Sequence, residues 1–343
     1  MLAAGEPVAV ARVLLAYSRP ARFVMIDRDL LAEGHEVLEY AQPGPLPRPL
    51  AAWRGVRAAD VVVCWFASWH APAPLLLARL LRRPSILVVG GFDTANMPEI
   101  GYGFQQGGVR RLVARTSMRL ADRLMTNSEY SRDELRRNTG FDAEVVYHGV
   151  PDPFGSLPAT PRERLALTVG NVARLSLERK GLRPFVEAAA GAPDVEFVVA
   201  GRPIDDADAE LRSLASANVT FTGELTDGEL DALYRRASVY VQASLHEGFG
   251  MAVAEAMLAG CIPVVTAAGA LPEVVGDTGV VVASPEPAAI AVGVQEALAL
   301  GDEARARARE RVLALFPLEL RRRGLLRLVE EALATRAARD PRA

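Results

Sequence analysis

Short β-branched runs alternate with longer helical patterns along this chain, and the alternation starts twice. Runs at 8–16, 61–66 and 86–89 read as buried parallel strands, with helical spacing at 74–81 and 109–124. After residues 147–150 comes PDPFGSLPATPRER, whose Pro151, Pro153, Pro158 and Pro161 mark a linker. Beyond it, strand runs recur at 166–169, 196–200, 219–221, 239–241, 262–265 and 280–282, mostly with helices between them. Alternation on both sides of a linker predicts an α/β chain of two doubly wound, Rossmann-like domains.

The expected division is an N-terminal domain at 1–150, a linker at 151–164 and a C-terminal domain at 165–315. Amphipathic helices at 305–315 and 318–335 are broken at Pro317, and the segment 316–343 is expected to pack back toward the N-terminal domain. In such a pair of domains a ligand belongs in the cleft, at the C-terminal ends of the strands.

Composition narrows the functions. At roughly 100–200 residues per domain, 343 residues suit two. A chain that is 50% hydrophobic and 24% charged folds as an ordinary globule. The formal charge of -3 argues against nucleic acid as a partner. The halves differ, with +3 over residues 1–150 and -6 over 151–343, which hints at a different ligand for each. Cys64 and Cys261 sit far apart in apolar runs, so neither a disulfide framework nor zinc spacing is available. The start MLAAGEPVAVARVLLAY lacks a basic signal-peptide region, and no long uncharged apolar run follows; the expectation is a cytoplasmic protein.

Of 39 basic residues only Lys180 is lysine. Arginine is a planar fork, whereas lysine is a compact charge suited to close approach to a phosphate. Lys180-Gly181 follows Gly170-Asn-Val-Ala-Arg174, itself directly after a strand run. Gly170 lets backbone turn near a ligand, and the cations of Arg174 and Lys180 suit a diphosphate. The plainer reading is a surface loop with an ion pair to Glu178.

A second constellation is His246-Glu247-Gly248-Phe249-Gly250-Met251-Ala-Val-Ala-Glu255, a strand leading through a glycine-bracketed loop into a helix. Free N–H groups at such a helix start attract anions. Carboxylates facing a phosphate would be repelled, so Glu247 and Glu255 suit paired sugar hydroxyls. The plainer reading makes Glu247 a helix-start acid and Glu255 an exposed helix residue.

These residues resemble the Glu-x7-Glu signature of the retaining nucleotide-sugar glycosyltransferases of family 4, which have the GT-B fold. The Gly-x3-Arg…Lys-Gly element, the turns ending in Gly201 and Gly223, and Gly269…Pro272-Glu273 fall in the family's order across 166–282. Asn127-Ser128-Glu129-Tyr130-Ser131 and His148-Gly149-Val150 also resemble family segments. The resemblance implies that Arg174 and Lys180 hold the donor diphosphate and stabilise its charge on departure. It implies that Glu255 binds the ribose, and that Glu247 with the backbone of Gly248, Phe249, Gly250 and Met251 orients the donor sugar. Gly170 and Gly201 complete the donor loops. The implied reaction needs no metal or cofactor, takes a UDP- or GDP-sugar type donor and a hydroxyl acceptor, and retains configuration by front-face attack.

Departures fall in the N-terminal half. Family members often have Gly-Gly after the first strand, where this chain has Ala16-Tyr17-Ser18-Arg19-Pro20. Where many have Val-His-Gly-x-Asp, it has Val89-Gly90-Gly91-Phe92-Asp93. Asp93, His70 and His148 are the acceptor-side candidates, with His70 equally readable as a satisfied histidine beside Trp69. Near the C-terminal Pro-Glu, Gly269-Ala270 replaces Gly-Gly. The Arg110–Arg123 helix, with Arg111, Arg115 and Arg119 at four-residue steps, reads as a solvated face or as a surface for anionic membrane lipid. Asp27-Arg-Asp29 reads as helix capping rather than a metal motif. A dinucleotide oxidoreductase is rejected because the first strand lacks Gly-x-Gly-x-x-Gly. A nucleotide-sugar-binding protein without transferase activity, and a related epimerase or phosphorylase, remain as alternatives.

Overall fold

The computed structural model describes residues 10–157 and 162–339. The chain start with residues 8 and 9 of the first expected strand, Pro158 and Pro161 of the expected linker, and residues 340–343 lie outside the described residues. The chain forms two compact units, residues 1–149 with 318–343, and residues 150–317.

The first unit runs β1 (Arg12–Tyr17), α1 (Arg22–Ala32), β2 (Glu36–Ala41), α2 (Pro49–Ala58), β3 (Val61–Trp65), α3 (Pro72–Leu80), β4 (Ser85–Val88), α4 (Gly108–Leu120), β5 (Arg123–Thr126), α5 (Glu129–Thr139) and β6 (Glu144–Val145). The second runs β7 (Glu163–Val169), α6 (Arg174–Arg179), α7 (Leu182–Ala188), β8 (Glu196–Ala200), α8 (Ala207–Leu214), β9 (Val219–Gly223), α9 (Asp227–Arg236), β10 (Ala237–Gln242), α10 (Met251–Leu258), β11 (Ile262–Thr266), α11 (Leu271–Val275), β12 (Val280–Val282), α12 (Pro287–Ala299) and α13 (Gly301–Leu315). Then α14 (Leu318–Arg339) returns to the first unit.

Each unit holds a six-stranded parallel sheet, in the order β2-β1-β3-β4-β5-β6 in the first and β12-β11-β10-β7-β8-β9 in the second. In β3 successive side chains enter opposite apolar layers: Val62 and Cys64 face α2 and α3, Val61, Val63 and Trp65 face α1 and α14. A strand buried on both faces reads as one apolar run, which is why VVVCW was legible. β2 has no such run: it is an edge strand, EVLEYA, with Glu36 and Glu39 exposed. The helix expected over 109–124 stops at Leu120 because Ala121 turns to extended backbone, and Arg123 and Leu124 enter β5.

Helix ends follow local chemistry. Ser128 caps α5 by accepting from Ser131 N–H, and Thr226 with Glu229 forms a capping box on α9. The stretch expected as linker is anchored within the second unit. Asp152 pairs with Arg309 at 2.5 Å, Phe154 packs edge-on to Tyr234, and β7 already starts at Glu163.

Asp27 corrects the capping reading. It lies in the middle of α1, buried, where it accepts from Nη2 and Nε of buried Arg321 of α14 at 2.6 and 2.8 Å and from the Trp65 indole N–H at 3.0 Å. The carboxylate therefore ties α14 to α1 and β3. Asp29 is a surface residue paired with Arg28.

Candidate functional site

In the second sheet the winding direction reverses between β7 and β10, and loops leaving the carboxyl ends of such a strand pair form the natural ligand crevice. Gly170 leaves β7 there, and the segment 243–250 leaves β10. The two loops are joined directly, since Leu245 N–H donates to the Arg179 carbonyl at 2.8 Å.

Two glycines allow close backbone approaches here, Gly181 against the loop after β10 and Gly201, which follows β8, against Gly170. A Cβ on Gly181 (φ +68°) would strike the carbonyl of Ala243, and one on Gly201 (φ +156°) would strike the carbonyl of Gly170. Lys180 lies across Gly170, with Nζ 3.4 Å and Cδ 3.1 Å from the position a Cβ would take. Any side chain at 170 would displace the lysine. Lys180 is half-buried, and among the described residues no ion pair or hydrogen bond holds its ammonium. Burial lowers its pKa, with the nearby Glu247 carboxylate opposing that and Arg179 adding to it.

Glu247 is pinned by its backbone. Ala270 N–H donates to the Glu247 carbonyl at 2.9 Å, and Gly269 (φ +63°) packs so closely that a Cβ would overlap that carbonyl. Its Oε2 is buried without a hydrogen-bond partner, a costly state that a ligand hydroxyl would relieve. Gly250 (φ +103°) occupies the N-cap of α10, so the first N–H groups of that helix begin at Met251. Phe249 is buried edge-on against Phe316. Glu255 lies inside α10, mostly buried, with the Tyr234 hydroxyl 3.5 Å from Oε2.

Along β10 and into the loop that follows it runs a polar chain that sequence reading missed. The Tyr240 hydroxyl donates to Gln242 at 2.9 Å, Gln242 donates to the Ser244 hydroxyl at 2.6 Å, and Thr266 donates to the Ser244 carbonyl at 2.6 Å. Burial pushes the Tyr240 phenol far up, and the charges of Glu247 and Glu255 add to it. The signal was present in YVQAS, polar side chains within a fully buried strand.

Arg174 does not join Lys180. Its exposed guanidinium pairs with Asp206 at 2.8 Å and Glu210 at 3.0 Å, while its backbone N–H donates to Asp205. The ion pair considered with Glu178 belongs instead to Arg183.

Residues 161–312 match the family described as glycosyl transferases group 1, and residues 17–152 match Glycosyltransferase Family 4. The chain belongs to the family 4, group 1 glycosyltransferases of GT-B fold. Over 185 residues it is 30% identical to the MMP alpha-(1->4)-mannosyltransferase of Mycolicibacterium hassiacum, spanning 52% of this chain and 43% of that protein. The chain spans about half or less of the length of the curated relatives it matches. Among solved structures, sucrose-phosphate synthase of Thermosynechococcus elongatus superposes with a TM-score of 0.76 at 20% identity, over 95% of this chain and 100% of that one. The Anabaena protein HepE, solved with UDP and glucose, gives 0.74 at 16% identity over 93% and 99%. At these identities the likeness is one of fold.

In this glycosyltransferase-family chain the N-terminal candidates are held from inside. Asp93 is fully buried, and its carboxylate accepts from the N–H groups of Ala67, Gly90 and Gly91 at 2.9–3.2 Å. Burial nevertheless pushes its pKa up to about 6. His70 is buried with Nε2 2.7 Å from the Trp65 carbonyl, and burial lowers it to about 4, so it is a neutral structural donor at pH 7. His148 stacks on Trp65 with ring centroids 5.7 Å apart and touches Asn127 at 3.1 Å; burial, then Arg321, lowers its pKa. Gly90 (φ +136°) brings the backbone against Asn127 and Thr126. Phe66, at φ +69°, holds the turn after β3 and packs on Phe23 and Phe92.

The basic stripe of α4 is shorter than expected. Arg115 is taken by the Asn138 carbonyl at 2.7 Å, and Arg123 belongs to β5, where it pairs with Glu331. No helix among the described residues is long and apolar enough to cross a membrane.

Proposed function

We propose that this chain is a retaining glycosyltransferase that moves a sugar from a nucleotide-sugar donor to a hydroxyl acceptor without a metal. The observation that carries the reading is the pairing of Lys180, unneutralised over Gly170, with the orphaned buried oxygen of Glu247 at the sheet's switch point. One group offers a positive charge to a leaving diphosphate, and the other accepts from a sugar hydroxyl. The amide groups at the start of α10 follow directly on that loop and favour the phosphate.

In this reading Glu255 holds the ribose hydroxyls, and Glu247 with the 248–251 backbone orients the donor sugar. The donor phosphate takes up the acceptor proton as the acceptor attacks from the side the leaving group vacates. Arg174 joins the diphosphate by leaving Asp206 and Glu210, a cheap exchange because exposed ion pairs contribute only about 0–1 kcal/mol. The acceptor side lies in the first unit, and its chemistry is that of a sugar or other alcohol. The UDP bound by HepE and the mannosyl transfer named for the Mycolicibacterium relative support this class of donor.

The test is a transfer assay with UDP-, GDP- and ADP-sugars and a set of alcohol acceptors, in excess chelator. An axial product from an axial donor, with undiminished rate, is expected. An inverted product, or loss of turnover restored by a divalent cation, would overturn the mechanism.

A further inference from the structure

A cavity of about 1060 Å³ opens in the first unit, lined by Arg79, Arg82, Arg83, Arg123 and Arg336, with Asp122 and Thr335 among its other walls. Asp60, Pro84 and Asp122 directly precede β3, β4 and β5, so the cavity lies at the amino ends of the parallel strands. The acceptor-side candidates Asp93 and His148 follow the carboxyl ends of the same sheet. The cavity is thus a separate place.

The carboxylates in its wall and beside it are already engaged. Asp122 accepts from the Ser85 N–H and hydroxyl, both at 2.9 Å. Asp60 is shared by Arg12, Arg83 and Arg336 at 3.6–3.9 Å, distances too long for full pairing. Glu331 neutralises Arg123 at 2.7 Å. Among the described residues Arg79 and Arg82 make no ion pair, and Arg83, four-fifths buried, leaves its Nε without a partner. Burial, then repulsion from Arg336, lowers the pKa of Arg83, with Asp60 opposing them.

One of these arginines stands where the backbone disfavours it. The end of α3 is a Schellman turn, with Arg83 N–H donating to the Ala78 carbonyl at 2.8 Å and Arg82 N–H to Arg79 at 3.3 Å. Arg82 takes the left-handed position at φ +54°, where glycine is the unstrained residue. A helix C-terminus does favour cations, which accounts for Arg79 but not for arginine at a glycine position.

We propose that this cavity binds a multiply charged phosphate-bearing anion. Guanidinium forks match phosphate oxygens two at a time, and the volume suits a small molecule rather than a single orthophosphate. Such a ligand is either free in solution or the headgroup of a lipid.

The experiment uses the full chain carrying Lys180→Ala, which removes the donor-site lysine from competition. Calorimetric titration with inorganic tripolyphosphate, against sodium chloride of equal ionic strength, is expected to show one site. Arg82→Gly should not lower Tm, because glycine relieves the turn, and together with Arg336→Gln it should weaken tripolyphosphate at least tenfold. Co-sedimentation with phosphatidic acid vesicles forms the second arm. Arginine-dependent tripolyphosphate binding assigns a soluble ligand, and arginine-dependent capture by vesicles alone assigns a headgroup. Binding unchanged by the arginine substitutions, or absent in both arms, overturns the proposal.

Discussion

Lys180 is the one place in 343 residues where a lysine stands, and it lies over a glycine whose bareness gives it room. Lys180→Ala should leave the fold intact, since no ion pair is lost, and lower transfer by on the order of a hundredfold or more. Steady-state kinetics with a far-ultraviolet spectrum checks both halves. Lys180→Arg is expected to rescue poorly, because the planar fork does not fit the narrow space over Gly170. Two buried groups in the first unit set opposite responses to acid. Unfolded His70 protonates near 6.5 but folded His70 only near 4, so its contribution is present above about 6.5 and is lost as pH falls toward 4. Asp93 shifts the other way, from 3.8 to about 6, so ionising it on raising the pH through 4–6 costs stability. Each spans roughly 3 kcal/mol at 1.36 kcal/mol per pKa unit, and between pH 4 and 6 they offset one another. His70→Gln, which keeps a donor for the Trp65 carbonyl, should therefore lose less stability than wild type between pH 7 and pH 5. Urea midpoints at the two pH values measure it; an equal or larger loss would contradict the assignment.

At the scale of elements, the segment after β7 meets the loop after β10 because Gly181 has no side chain, and the turn after β8 meets Gly170 because Gly201 has none. Gly181→Ala should separate the first pair and abolish donor binding while the two sheets persist, as a loss of ligand-induced thermal stabilisation would show. Core strands such as VVVCW were legible because burial on both faces makes them apolar throughout. The edge strand β2 and the end of α4 were not, because half-exposed edges carry glutamate and the boundary at Ala121 is set by backbone, not by polarity. The glutamate pair and the lysine loop could be read from residue spacing, glycine positions and lysine's rarity. The Tyr240–Gln242–Ser244 support and the surface pairing of Arg174 depend on tertiary neighbours that spacing does not encode.

Across the whole molecule, the chain crosses between its units twice, at 149–150 and 317–318, and α14 completes the first unit's core with Leu325, Leu328, Val329 and Ala332. The Asp27–Arg321 pair fixes that return at 0–1% exposure. Removing one partner strands a buried charge, so Arg321→Ala should cost about 3–5 kcal/mol, whereas replacing both partners with apolar residues should cost less. Chemical unfolding of the single and double variants measures the difference, and equal losses would mean the pair is not the tie. Asp93 and His70 are held by backbone groups of the first unit, Asp93 by the N–H groups of Ala67, Gly90 and Gly91 and His70 by the Trp65 carbonyl.

The most direct test of the donor site is thermal unfolding of wild type and Lys180→Ala with a panel of UDP-, GDP- and ADP-sugars. At about 100 times its dissociation constant a ligand stabilises by about 2.7 kcal/mol, a visible rise in Tm. The account predicts a rise with one nucleotide family that disappears in the variant. A rise that survives Lys180→Ala, or none with any nucleotide-sugar, would contradict it.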